Sequence, residues 1–292
     1  MFAVALALLA AIAGAGAAVF QSRGARSVSP PPANAARLLL VLLQKPIWLF
    51  GAALAGVSGL FHTIALGRGS LIEVESIMVT SLLFALALGI VVTGSRVSVR
   101  DWFGAIATIV GLVAFLLFAD PQDGDYTIPV RVAIIGTIVF IAVMSALVAS
   151  AARATQPNVR AVLFGSAAAV ALGSAAVMLK VIASNLVENT PLRALLPAFA
   201  FLGLCELSAL LLQQVAFRQG SLAAALAPFV GGNPLVAGGV GIIVFGERFH
   251  HSVGDLLGAS AGIVLVIIGI FILASSPLVA AGSGESTDSN TA

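Results

Sequence analysis

Charge is what this sequence has least of: Asp, Glu, Lys and Arg together make up 9% of its 292 residues. Soluble globular domains carry about a quarter of their residues as charges, so an ordinary water-soluble domain is excluded. The single cysteine, Cys205, rules out a disulfide framework and leaves the compartment unread. A net charge of +2 is too small for the basic face that a nucleic acid requires. No nucleophile elbow, no Gly-rich phosphate loop ahead of a lysine, no His-Glu-x-x-His pair and no catalytic run of paired acids occurs. Neither an enzyme nor a cofactor is expected. His250 and His251 with Glu247 and Asp255 are the one group that resembles metal ligands. Adjacent histidines in a short loop do not preset a tetrahedral site, so no metal site is expected.

What the chain does have is apolar length. Hydrophobic residues are 60% of it, in recurrent runs of about 20 residues, each long enough for a hydrocarbon core about 30 Å thick. Nine spans are predicted, near 2–20, 47–66, 71–94, 102–119, 130–152, 161–184, 194–217, 221–245 and 254–275. The first, Met1 to Phe20, has no positive n-region and reads as a retained span, with Arg23 and Arg26 after it. A Pro-rich hinge, Ser29 to Pro32, precedes Ala35 to Leu43, which is either an interfacial helix or an early start to span two. The end of the chain is Gly, Ser, Thr, Asp and Asn, too polar to bury anything. Arg greatly outnumbers Lys, and Ala, Val and Gly dominate, which fits a GC-rich bacterial genome and hence the bacterial inner membrane.

Orientation follows from basic residues in the loops. With the N-terminus outside and the C-terminus cytoplasmic, Arg23, Arg26, Arg37, Lys45, Arg96, Arg100, Arg153, Arg160 and Arg218 lie inside. Only Arg68, Arg131, Arg193 and Arg248 lie outside.

The chain also resembles itself. Leu60 to Leu71 aligns with Leu211 to Leu222, Gly94-Ser95-Arg96 with Gly246-Glu247-Arg248, and Asp101 to Ala105 with Asp255 to Ala259. Spans one to four thus match spans six to nine, and the odd span between them inverts the second copy. The expected class is an all-α integral membrane protein of nine transmembrane helices, in two inverted four-helix repeats plus a linker helix. Repeat one covers 1–119, the linker and its loops 120–160, repeat two 161–277, and a disordered polar tail 278–292. Inverted repeats allow one central site to open to either side in turn.

The residues that could serve such a site are few. Glu206 lies midway along span seven, where a charged carboxylate costs some 2.5–3.5 kcal/mol on insertion scales. It is either a proton- or cation-coupling group or a structural acid held by neighbouring polar groups. Lys180 is the one basic residue inside a span; it pairs with Glu206, meets an anionic substrate or snorkels to the interface. Glu73, at the entrance to span three, either draws cations or sits in headgroup water. Span eight is interrupted at Gly231-Gly232-Asn233-Pro234, where Pro234 frees the carbonyl of Val230. There Asn233 and the freed backbone are either ligands for a polar substrate or part of a plain kink. His62 and Gln213, at matching repeat positions, and Gln214 are candidate cavity-lining residues. Gly254, Gly258 and Gly262, four apart on span nine, form a face for close helix packing.

Several of these stretches together resemble the drug/metabolite transporter superfamily, and within it the nine-span, EamA-like group related to the NIPA-type magnesium transporters. They are Gln44-Lys45-Pro46-Ile47-Trp48, Ala65-Leu66-Gly67, Gln213 to Leu222, Asn233-Pro234 and Gly246-Glu247-Arg248. The resemblance covers nearly all of the chain except the tail. It implies a secondary transporter of a small polar metabolite or ion working by alternating access, with Mg²⁺ as an alternative cargo. Two departures weaken the transfer of a cation role. The Pro expected at the start of span three is lost from Gly67-Arg68-Gly69-Ser70-Leu71, and Ser95 replaces the carboxylate of the first-copy Gly-Glu-Arg. The expected partners are the substrate and the lipid bilayer, with a homodimer left open. A non-transporting scaffold or accessory of envelope assembly is the alternative from another class.

Overall fold

In the computed structural model the residues described are 2–30, 34–66, 68, 74, 77–93, 97–119, 130–187, 191–245 and 253–275. They form ten α-helices and, among the described residues, no strand. These are α1 (Phe2–Arg26), α2 (Ala35–Leu42), α3 (Pro46–Leu66), α4 (Ser81–Thr93), α5 (Val99–Ala119), α6 (Val130–Arg153), α7 (Pro157–Val187), α8 (Leu192–Gln219), α9 (Leu222–Phe245) and α10 (Val253–Ala274). Eight of them are long and apolar enough to cross a membrane. The chain is an all-α, multi-pass membrane protein. Of the expected third span, residues 74, 77–80 and the 13-residue α4 are described; Glu73, residues 120–129, 188–190 and 246–252, with Glu247, His250 and His251, and the polar tail lie outside the described residues.

Helix α2 is the segment whose sequence allowed two readings. It is a separate short helix, begun by Asn34, whose side chain accepts from the Arg37 backbone N–H at 2.8 Å. Leu38 and Leu42 are buried beneath it while Leu40 is 63% exposed. An apolar residue left outward on an amphipathic helix beside a span is the pattern of an interfacial segment.

Glycines set how closely the spans pack. Helices α5 and α10 run antiparallel: Gly104 meets Leu273, Gly111 meets Gly262, and Phe118 meets Gly258. A Cβ on Gly111 would come within 2.6 Å of the Gly262 carbonyl oxygen, and one on Gly262 equally near that of Gly111. Only backbone fits there, as close packing in lipid favours. The packing face expected on span nine is therefore present at Gly258 and Gly262, but it continues to Gly269 and leaves Gly254 exposed. Helix α1 packs antiparallel on α3, with the buried Ser58 hydroxyl donating to the Ala10 carbonyl at 2.8 Å. Helix α7 packs parallel to α9, Gly165 facing Pro228 and Gly173 facing Val236.

Helix α9 is the axle of the bundle, touching α1, α4, α5, α7, α8 and α10. Around it the same pairing recurs: α1 lies on α3 and α4 as α7 lies on α8 and α9. Helix α6 stands outermost, with Ile135 61% and Ile138 60% exposed, a side-chain surface suited to lipid rather than water.

Candidate functional site

Two amides and an indole meet at one end of the bundle. Gln214, near the C-terminus of α8, is 1% exposed. Its Oε1 accepts from the Trp48 indole N–H of α3 at 2.8 Å, and its Nε2 donates to Gln21 Oε1 of α1 at 2.8 Å. Every partner in the chain is buried, and a buried amide stripped of its bonds costs ~1–3 kcal/mol per group. The network thereby ties two helices from the first half of the chain to one from the second. Gly24 allows it: a Cβ there would stand 2.8 Å from the Trp48 Cβ.

Arginines brace the same end. Arg26 donates through Nε to the Phe217 carbonyl at 3.0 Å and through Nη2 to that of Gly220. Arg218 returns the contact, donating to the Val28 carbonyl at 2.9 Å, and Arg23 donates to that of Val92 at 3.0 Å. The last carbonyls of a helix have no intrahelical donor and carry its negative dipole end. A guanidinium is suited to them. On the other side Asn158 of α7 accepts from the Ser221 N–H at 2.8 Å, and the Ser221 hydroxyl accepts from Ala224 N–H at 3.1 Å, starting α9.

The consequence is seen along α9. From Ala223 to Pro228 every residue is buried; from Gly232 to Val240 every residue is partly accessible, on all sides of the helix. Asn233 and Pro234 fall in the accessible half. The Asn233 Oδ1 atom itself is buried and, among the described residues, has no hydrogen-bond donor. An unfilled acceptor amid apolar spans is a site for a donor group, an ammonium, hydroxyl or amide N–H.

The expected interruption at Gly231-Gly232-Asn233-Pro234 is corrected: α9 runs unbroken from Leu222 to Phe245 with Pro228 and Pro234 inside it. The physical reason lies on α7. Gly165 leaves room for the Pro228 ring, and Gly173 brings its backbone to the Asn233 carbonyl, where a Cβ would stand at 2.8 Å. A neighbour that leaves room for the Pro228 ring and packs closely beside Asn233 accommodates the continuous helix.

The other expected residues are scattered. Gln213 and His62 are partly accessible, but they sit toward opposite ends. Trp48 marks the latched end of α3, and His62 lies 14 positions on, about 21 Å along the axis. They do not share a cavity wall. Lys180 is in the distal part of α7, and its side chain is outside the described residues. Glu206 departs most from expectation: it is exposed on the outer face of α8 rather than turned toward α9. Sequence gives a residue's depth along a span and says little about which way it faces.

Sequence reading missed Gln21, Trp48 and Arg26 as a group because each lies at a span end, where polar residues ordinarily meet water. It also missed Asp101, wholly buried, whose Oδ2 accepts from the Ser98 N–H and hydroxyl at 2.8 and 2.9 Å. The signal was available there as Ser-x-x-Asp ahead of an apolar run. Among the described residues no group of three His, Cys, Asp or Glu is placed to hold a metal ion.

No family model matches the chain, and no solved structure matches it. An uncharacterized protein of Corynebacterium glutamicum is 28% identical to it over 248 residues, covering 84% of this chain and 85% of that protein. The two are similar over most of their lengths.

Proposed function

We propose that the chain is a secondary transporter of the drug/metabolite type, carrying a small polar metabolite or ion across the cell membrane by alternating access. The observation that carries the proposal is the asymmetry of α9. It is sealed on all sides at the arginine-rich end and accessible on all sides beyond Gly232, as a carrier caught open to one face would be. The recurring pairing of helices in the two halves supports two inverted four-helix repeats with α6 as linker. In this reading α4 is a ninth crossing, and the basic residues at the ends of α1 and α8, Arg23, Arg26 and Arg218, favour an N-terminus outside and a C-terminus in the cytoplasm.

The central substrate group is Asn233, next to Pro234, with Gln213 and His62 at the approaches from either end. A hard cation wants several oxygen ligands. Among the described residues no three His, Cys, Asp or Glu side chains come together, which favours a neutral or amine-bearing polar solute over Mg²⁺.

Flux into reconstituted vesicles tests the proposal, using amines, amino acids, sugars and Mg²⁺ as the panel. Wild type is expected to move at least one member, and Asn233→Leu to lower that flux at least tenfold without lowering thermal stability. Folded wild-type protein that moves none of them refutes transport and leaves the envelope-accessory reading.

A further inference from the structure

Glu206 stands halfway along α8, about 20 Å from either end at 1.5 Å per residue. Its side chain is too short to snorkel over that distance. It is exposed, flanked by Leu204 and Leu207, which are 55% and 49% exposed, and among the described residues it makes no hydrogen bond or ion pair. One turn away, Gly203 opens onto empty space, with no atom within 4 Å of the position a Cβ would take. Phe199 and Leu196 continue the same outward face, 38% and 63% exposed. The face thus combines an acid that hydrocarbon will not solvate with a small residue that lets another backbone approach.

We propose that this face of α8 is the contact surface for a second copy of the chain, in which the two Glu206 carboxyls hydrogen-bond across a twofold axis along the membrane normal. The geometry favours a second copy over other occupants. A rotation about the membrane normal keeps every atom at its depth, so Glu206 meets Glu206 at the bilayer centre without further adjustment. A different protein would need a polar group of its own at that depth. The pair is also chemically self-sufficient. Two neutral carboxyls act as donor and acceptor to each other and leave no net charge in hydrocarbon. Gly203 beside each acid permits the close approach that such a bond requires. The inference goes beyond the transport reading and does not rest on it, since either a carrier or an accessory protein could dimerise this way.

The test uses the full-length chain in lipid vesicles. In a Cys205→Ser background, Gly203→Cys is expected to form an intermolecular disulfide on mild oxidation. Ile267→Cys, exposed on α10, is expected not to. Separately, single-molecule photobleaching over a dilution series gives the dimer fraction. Glu206→Gln, which keeps a donor and an acceptor, is expected to dimerise like wild type. Glu206→Leu is expected to weaken the dimer about tenfold, which is about 1.4 kcal/mol. Wild type that stays monomeric at every protein-to-lipid ratio overturns the proposal. So does a Glu206→Leu variant that dimerises as wild type does, or cross-linking as strong at 267 as at 203. Because cross-linking at 203 keeps Glu206, the proposal remains testable should the leucine variant fail to fold.

Discussion

Replacing Gln214 with leucine probes the sealed end directly. The side chain is fully buried and makes two bonds of 2.8 Å, one to the Trp48 indole and one to Gln21. Leucine fills similar space but leaves a buried N–H and a buried amide oxygen without partners. In water-soluble proteins that would amount to ~2–6 kcal/mol for two groups. Within membranes the measured worth of such bonds averages ~0.6 and reaches ~1.7 kcal/mol each, because the opened state also finds partners. The lower scale applies here, giving ~1–3 kcal/mol against the latched state. The readout is a cysteine at Leu226, buried in the sealed half of α9, in a Cys205→Ser background. Its labelling by a membrane-impermeant maleimide from the arginine-rich side should quicken by about 5- to 100-fold when Gln214 becomes leucine. Removing all three polar partners (Gln21→Leu, Trp48→Phe, Gln214→Leu) should cost less than the single change, since no orphaned group remains. Unchanged labelling in Gln214→Leu, or a triple variant worse than the sum of its parts, would refute the assignment of these residues as a seal.

Two further outcomes follow from the packing and the arginines. Gly111→Ala and Gly262→Ala each drive a methyl to 2.6 Å from an opposing carbonyl, so each should destabilise by ~1–3 kcal/mol in thermal unfolding; Gly239→Ala, with open space around it, should be neutral or slightly stabilising. Arg26→Lys keeps the charge but loses the fork that reaches both Phe217 and Gly220, so labelling at Leu226 should quicken while epitope accessibility at the termini stays unchanged.

Much of this architecture is legible in the sequence because lipid leaves the chain few choices. Eight of the nine predicted spans follow from run length alone, α2 from Asn34 ahead of an amphipathic stretch, and the α5–α10 seam from glycines four residues apart. What depends on azimuth is not legible. Glu206 has the same depth whether it faces α9 or the bilayer, and only packing of Cys205, wholly buried one residue away, turns it outward. Gln213 and Gln214 are adjacent in sequence and 100° apart on the helix, so one enters the network and the other does not. Pro228 could not be read as harmless without knowing that Gly165 lies opposite it. The polar residues at span ends were the hardest, since an interfacial glutamine and a latching glutamine look alike until three helices converge.

The chemistry of the sealed end bears on how such a seal would work. It contains no acid–base pair among its described bonds: amide meets amide, indole meets amide, and guanidinium meets carbonyl. A buried ion pair is costly to form and costly to separate, which makes it a poor closure for a helix end that has to open and reclose. Amides and carbonyls exchange protein partners for water at little net cost, ~1 kcal/mol per bond. Distributing the closure over several such bonds gives an end that is dry while shut and yet within reach of opening once water enters. The arginines sit part-buried at the rim, and in the proposed carrier opening would exchange their carbonyl partners for water. A closure built of neutral bonds with a cationic rim is thus the arrangement expected where the same residues must hold α1, α3 and α8 together and also let them part.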